Sequence, residues 1–346
     1  MLRRQPIKDS NTASDPRLAE LQRWARGIDV ISGADLTPAS DDASFRRYFR
    51  LQKGAESFIV MDAPPGKEDC LPFIRIAGYL EAMQLNAPRI LEADLDKGFL
   101  LLTDLGSTQY LERLTEDNSD AGALYNDALT ALANLQSRGA AFQSHLPPYD
   151  DALLNFELSL FHDWLCGTHL GITFSDSEET AWQSLCELLV SNALDQPQVF
   201  VHRDYHSRNL MVTADNNPGI LDFQDAVEEP LTYDLVSLLK DCYIEWPPEQ
   251  VRNGAIGYYS QLDESLVGSI DEAGFLRYFE LMGVQRHLKA AGIFARLNHR
   301  DGKPGYMRDV PRTLSYVVEL LPHYDELEFL VGLIRERCLP ELESRQ

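Results

Sequence analysis

Residues 199–225 read VFVHRDYHSRNLMVTADNNPGILDFQD, and the fold class turns on this stretch. Three short apolar runs, 199–201, 210–213 and 219–221, have the length and composition of strands. Polar side chains fill the gaps between them. Asp215, Asn216 and Asn217 are turn residues, so the second and third runs close into a hairpin. That hairpin returns Asp222 to the place where Asn209 begins. Asn209 stands five residues after Asp204 and Asp222 eighteen after it. The stretch therefore gathers a carboxylate, an amide and a second carboxylate by local geometry alone.

Phosphoryl transfer needs these types at this spacing. Asp204 is placed to accept the proton of an attacking hydroxyl. Asn209 and Asp222 offer oxygen to Mg²⁺, a hard cation held against the phosphates of ATP. The string His202-Arg203-Asp204, followed by Asn209, is the H-R-D-x-x-x-x-N signature of a kinase catalytic loop. The competing reading is a polar turn between buried strands. His202, directly after a strand, is expected to be an internal hydrogen-bond anchor. His206 either touches substrate or braces the loop.

Outward from this island the two halves of the sequence differ. Toward the N-terminus, residues 16–27 have helical periodicity, with Asp15 as cap, Pro16 in the first turn and Gly27 as stop. Residues 45–51, 57–61, 88–95 and 99–103 read as strands, with a helix over 68–83 between the second and third. Beyond Gly106 the periodicity becomes helical over 121–138, 152–170 and 178–194, and again over 275–298, 310–321 and 324–337. The pattern predicts an α+β protein with a bilobal, protein-kinase-like fold. It has a small β-rich N-lobe over 1–104, a large helical C-lobe over 105–346, and a hinge near 103–106.

The composition bounds the partners. The 346 residues carry a formal net charge of −23 and a sequence pI of about 4.7. This lacks the basic footprint of a nucleic-acid binder. An acidic enzyme still accepts a nucleotide where metal ions and local cations neutralise its phosphates. The five cysteines, Cys70, Cys166, Cys186, Cys242 and Cys338, are scattered and form no C-x-x-C pair, which argues against a disulfide framework or structural zinc. The first fifteen residues contain no apolar core of signal-peptide length, and no apolar run approaches the ~20 residues of a membrane helix. A cytoplasmic protein with no membrane partner is expected. Oligomeric state is not legible.

HRDYHSRN, LDFQD and PLTYDLVSLLKD together resemble the aminoglycoside phosphotransferase and choline kinase superfamily. That resemblance implies the protein-kinase fold and assigns Asp234 to bracing the catalytic loop. ASFRRYFRL, VMDAPPGKED, GFLLLTDLG and GVQRHLKAAGIFARLNHRDGKPGYMRDVPRTLSYV are similar to one branch, the anomeric N-acetylmuramate/N-acetylglucosamine kinases of cell-wall recycling. The branch implies an amino-sugar acceptor, ATP as donor and a sugar 1-phosphate as product. Adenine is then expected against Thr103, Asp104 and Leu105, with phosphates near Ser44, Phe45 and Arg46. The sequence departs from the general pattern. Residues 40–48 contain no glycine where a glycine-rich loop is usual. The strand that usually ends in lysine ends in Met61, so Arg46, Arg47 or Lys67 must supply the cation. Asp-Phe-Gly is Asp-Phe-Gln at 222–224.

An acceptor pocket needs polar side chains near Asp204. The candidates are His206, Arg208, Asp225 and Glu228, with Asn155 and Glu157 from the helical half. If the acceptor carries a carboxylate, a cation must face it. Residues 285–312 are unusually basic for this chain, and Arg286, Lys289 and Arg296 are candidates there. The alternatives are a kinase of an aminoglycoside or choline-like acceptor, a non-catalytic ATP-binding module, and a metal-dependent hydrolase.

Overall fold

The structure is a computed structural model that describes residues 15–31, 33, 35–41, 45–320 and 322–345. Ser44, expected near phosphate, lies outside them. The chain separates into two compact units. One comprises Met1–Ala77 with Pro88–Leu105, the other Gly78–Ala87 with Gly106–Gln346. The expected division at 104/105 is a single cut. The structure differs from it in assigning Gly78–Ala87 to the helical unit.

The first unit opens with helix α1, Pro16–Arg26. Asp15 accepts hydrogen bonds from the backbone N–H groups of Arg17 and Leu18 at its start, and Gly27 follows its end. Strands β1 (Thr37–Asp41), β2 (Arg47–Lys53) and β3 (Glu56–Asp62), helix α2 (Cys70–Ala82, which from Gly78 on counts with the second unit), and strands β4 (Ile90–Asp94) and β5 (Phe99–Thr103) follow. The five strands form one antiparallel sheet in the order β1-β2-β3-β5-β4. Phe49 and Leu51, Phe58 and Val60, and Phe99 and Leu101 alternate along β2, β3 and β5. They bury one face against Leu21, Ala25 and Ile31. Four of the strands were legible from short apolar or aromatic runs bounded by turn residues. β1, with the sequence TPASD, has no such run and exists through its pairing with β2.

The second unit is mostly helical: α3 (Tyr110–Glu116), α4 (Ala121–Gly139), α5 (Asp151–Leu160), α6 (Asp176–Leu194), α7 (Tyr233–Leu239), α8 (Pro248–Tyr259), α9 (Glu264–Val267) and α10 (Glu272–Asp301). The single helix expected over 152–170 changes character at Phe161 and continues as a wide π-helical stretch to Leu170. The long helix α10 packs tightly there. A Cβ on Gly292 would lie 2.3 Å from the Leu160 carbonyl carbon, so only glycine fits. Strands β6 (Gln198–Val201), β7 (Leu210–Met211), β8 (Gly219–Ile220) and β9 (Val227–Pro230) form two small antiparallel pairs, β6-β9 and β7-β8. β9 was not expected. Among the described residues no helix is long and apolar enough to cross a membrane, and all five cysteines are free.

Lys240, just after α7, is 6 % exposed, with its ammonium 5.1 Å from the centre of the Phe279 ring. Burial pulls its pKa down to about 8. Below that pH the fold must bury a charge that the unfolded chain keeps in water. Between about 8 and 10.5 the folded protein has lost this proton while the unfolded chain still holds it, so stability rises with pH and the penalty fades, until the unfolded chain deprotonates as well. Lys240→Met is therefore expected to raise unfolding free energy by about 1–3 kcal/mol at pH 7. The gain should shrink toward pH 10.5 in urea denaturation. A variant less stable than the parent at pH 7 would show that the ammonium contributes favourably.

Candidate active site

The loop between β6 and β7 carries His202, Arg203 and Asp204, and buried groups hold it along its length. Asp234, fully buried in the first turn of α7, accepts hydrogen bonds from the His202 N–H at 2.6 Å and the Arg203 N–H at 3.0 Å. Burial pushes the Asp234 carboxyl up to about 7, although those two N–H groups pull the other way. Arg203 adopts φ +78°, a left-handed conformation that an arginine occupies only when its surroundings impose it. Farther along, Asp241 accepts from both the N–H and the hydroxyl of Ser207. Tyr205 donates its hydroxyl to the Ala128 carbonyl of α4 at 2.9 Å.

His202 is an anchor. Its Nε2 donates to the Leu221 carbonyl at 2.9 Å, and its Nδ1 accepts from the Asp204 N–H at 3.2 Å. Burial pulls its pKa down to about 4, so the ring is neutral at pH 7. It ties the candidate catalytic loop to the segment that delivers Asp222. The Leu221 N–H donates to the Asn209 carbonyl at 2.9 Å and closes the same junction.

That backbone bond sets Asn209 and Asp222 next to each other. Asn209 Nδ2 donates to the Asp204 carbonyl at 3.0 Å and lies 3.4 Å from Asp222 Oδ2. Asp222 sits at φ +61°, in the left-handed region that aspartate tolerates better than most residues. Gln224, which replaces the usual glycine, donates from Nε2 to Asp222 Oδ1 at 2.8 Å and to Asp225 Oδ2 at 3.2 Å, so it orients the carboxylate. About half of the Asp204 side chain is open to solvent. Desolvation of its surroundings works to raise its pKa, but the positive field of His206, Lys289 and Arg286 outweighs it and holds the carboxyl below its usual range. Asp204 is thus ionised at neutral pH and open to an incoming hydroxyl.

Among the described residues no three His, Cys, Asp or Glu side chains gather into a metal cage. Asn209 and Asp222 offer oxygen donors that fit Mg²⁺ when phosphates and water complete the shell. A two-metal hydrolase site would need such a cage.

The other expected site residues scatter more widely. His206 is 8 % exposed, with Nε2 3.9 Å from Asp204 Oδ1. Arg208 lies over the Tyr243 ring. Glu157 is 2 % exposed and accepts from Arg203 and Lys289, each at 2.6 Å, and from Tyr149 and Gln285. Glu157 and Lys289 therefore form an internal ion-pair cluster behind the loop and leave little polar surface for a ligand. Arg286 is 6 % exposed, 3.6 Å from the Cys242 sulfur. Asn155 is exposed and donates to the Asp151 carbonyl of its own helix. Glu228 accepts from Gln143. Arg296 is half-buried on α10. In the sheet unit, the Phe45 N–H donates to Glu68 at 3.0 Å, and Arg46 pairs with Glu68 at 3.2 Å. Asp104 receives Arg50 at 2.6 Å. Thr103 bonds Arg89 through both its N–H and its hydroxyl oxygen, and Leu105 follows as the last residue of that unit. Met61 is fully buried.

Asp241 and Gln224 were missed as site residues. Asp241 carried no clear signal: it lies two residues beyond the end of α7, and its role follows from the tertiary contact with Ser207.

The phosphotransferase enzyme family matches residues 35–266. The N-acetylmuramate/N-acetylglucosamine kinase of Pseudomonas aeruginosa is 46% identical over 335 residues, covering 93% of this chain and 97% of that protein. The kinase of the same name from Pseudomonas putida is 46% identical over 323 residues, covering 93% and 94%. Among solved structures, the ADP-bound aminoglycoside phosphotransferase APH(2'')-Ib superposes with a TM-score of 0.55 at 16% identity, covering 86% of this chain and 97% of that one.

Proposed function

This chain belongs to the phosphotransferase enzyme family and is an amino-sugar kinase of the N-acetylmuramate/N-acetylglucosamine kinase group; from that premise we propose that it transfers the γ-phosphoryl group of ATP to the anomeric C1 hydroxyl of its sugar. The observation that carries this reading is that Asn209 links the Asp204 backbone carbonyl to the Asp222 carboxylate, while the Asp204 carboxylate itself stays open. The acceptor hydroxyl donates a hydrogen bond to Asp204. As its oxygen forms the new O–P bond, its proton passes to the Asp204 carboxylate, the bond to the β-phosphate oxygen breaks, and ADP leaves. Exposure of Asp204 lets that proton return to water. Mg²⁺ held by Asn209 and Asp222 would neutralise phosphate charge.

In the sheet unit, Ser44, Phe45, Arg46, Thr103, Asp104 and Leu105 are the proposed nucleotide contacts. Of the three cations that could act for the lysine absent at Met61, Arg47 is held by Asp15 and Asp62, and Lys67 lies 4.0 Å over the Phe45 ring. We assign the role to Arg46. Its pairing with Glu68 corresponds to the lysine–glutamate pair that supports phosphate binding in protein kinases.

Incubation with ATP, Mg²⁺ and either N-acetylmuramate or N-acetylglucosamine is expected to give the sugar 1-phosphate, seen by phosphorus–proton coupling to the anomeric proton in NMR. Phosphate on another hydroxyl would keep the kinase and refute the anomeric assignment. ATP binding without transfer to either sugar would refute the acceptor.

A further inference from the structure

Arg208 lies four residues after Asp204 on the same loop, and among the described residues it has no carboxylate at ion-pair distance. Its guanidinium carbon stands 4.7 Å from the centre of the Tyr243 ring and 5.8 Å from that of Tyr306. Burial works against its charge, and the two tyrosines outweigh that effect, so it remains a cation. Tyr243 meets His206 edge to face at 5.3 Å, and His206 lies 3.9 Å from Asp204. One continuous wall thus runs from the base to Arg208. His206 Nδ1, on that wall, is buried without a hydrogen-bond partner among the described residues.

The other cations around the loop are engaged. Arg203 binds Glu157 at 2.6 Å and lies 3.4 Å from Glu229. Lys289 binds Glu157 and the Tyr233 hydroxyl. Arg312 is paired with Asp309 and Glu245. Arg286 is almost fully covered beside Cys242. A partly buried guanidinium framed by aromatic rings is a strong site for a carboxylate, because the rings hold its plane without neutralising it. The frame also extends beyond the general family match, which ends at residue 266. Phe294 stacks on Tyr306 at 5.6 Å and meets Tyr243 at 6.4 Å, so two of the three rings come from outside the matched region.

We propose that Arg208 reads the carboxylate of the acceptor, which N-acetylmuramate carries on its lactyl group and N-acetylglucosamine lacks. This rests on the amino-sugar reading above and adds the residue that separates the two sugars. The quantity to measure is the ratio of kcat/KM for N-acetylmuramate to kcat/KM for N-acetylglucosamine. In Arg208→Met the ratio is expected to fall roughly 10- to 100-fold, the worth of a charge-assisted hydrogen-bonded pair, and mainly through the KM of N-acetylmuramate. With the wild-type enzyme, the methyl ester of N-acetylmuramate should lose a similar factor against the acid, and the variant should no longer distinguish acid from ester. Arg208→Lys keeps the charge, should restore part of the acid-to-ester ratio, and serves if the methionine variant does not fold. A ratio that stays put in the variants while the wild type uses both sugars overturns the assignment of Arg208 alone. A wild-type enzyme that phosphorylates neither sugar overturns the acceptor reading and this proposal with it.

Discussion

Asp204→Asn is expected to lower kcat on the order of 10²- to 10⁴-fold, the usual contribution of a positioned general base, with ATP affinity and melting temperature close to those of the parent. The separation of activity from stability follows from how the loop is held. Asp234 holds the loop through the backbone N–H groups of His202 and Arg203. Asp241 holds it through Ser207, and Asn209 reaches the Asp204 backbone carbonyl rather than its carboxylate. The Asp204 side chain is half open to water, so its replacement by an isosteric amide creates no cavity and exposes no buried donor. The amide can still accept a hydrogen bond from the acceptor hydroxyl, but it cannot take up the proton. Single-turnover phosphoryl transfer, with nucleotide binding measured in parallel, decides the point. A kcat reduced by less than about tenfold would remove Asp204 from the role of base.

The candidate catalytic island was legible because its logic is local. Val199, Leu210 and Ile220 are apolar and flank polar turns, and the hairpin brings Asn209 beside Asp222 without help from distant sequence. The sheet was legible for a related reason, since runs such as 45–51 and 57–61 are short, rich in aromatic or β-branched residues and divided by the Lys53-Gly54 turn. What resisted reading depends on partners far along the chain. β9 is a strand because it pairs with β6, and its residues VEEP carry no strong strand signal. Glu157 and Lys289 were natural candidates for a polar acceptor pocket. Only the packing of α5 against α10 shows that they pair with each other and that Glu157 also takes Arg203. The charge of such residues is plain from their identity, while the choice between ligand and internal partner is made by the tertiary fold.

Asp234→Ala is expected to cost about 3–5 kcal/mol of stability and to lower activity as well. The arithmetic starts from two backbone donors, His202 N–H and Arg203 N–H, whose acceptor is a fully buried carboxylate. Each donor left buried without a partner costs about 1–3 kcal/mol. A small cavity adds to this. The released segment is also the one that keeps Arg203 in its left-handed conformation, so the strain there would relax by moving Asp204 away from Asn209 and Asp222. Asp234→Asn tests the cause: it preserves volume and one acceptor oxygen, and its stability should fall between those of the parent and the alanine variant. Chemical denaturation of the three proteins gives the order, and kcat measured well below each melting temperature separates a misplaced base from simple unfolding. An alanine variant within about 1 kcal/mol of wild type, less than one orphaned donor costs, would mean that water or a shifted backbone satisfies the two donors. The loop would then owe its shape to the His202–Leu221 and Ser207–Asp241 bonds instead.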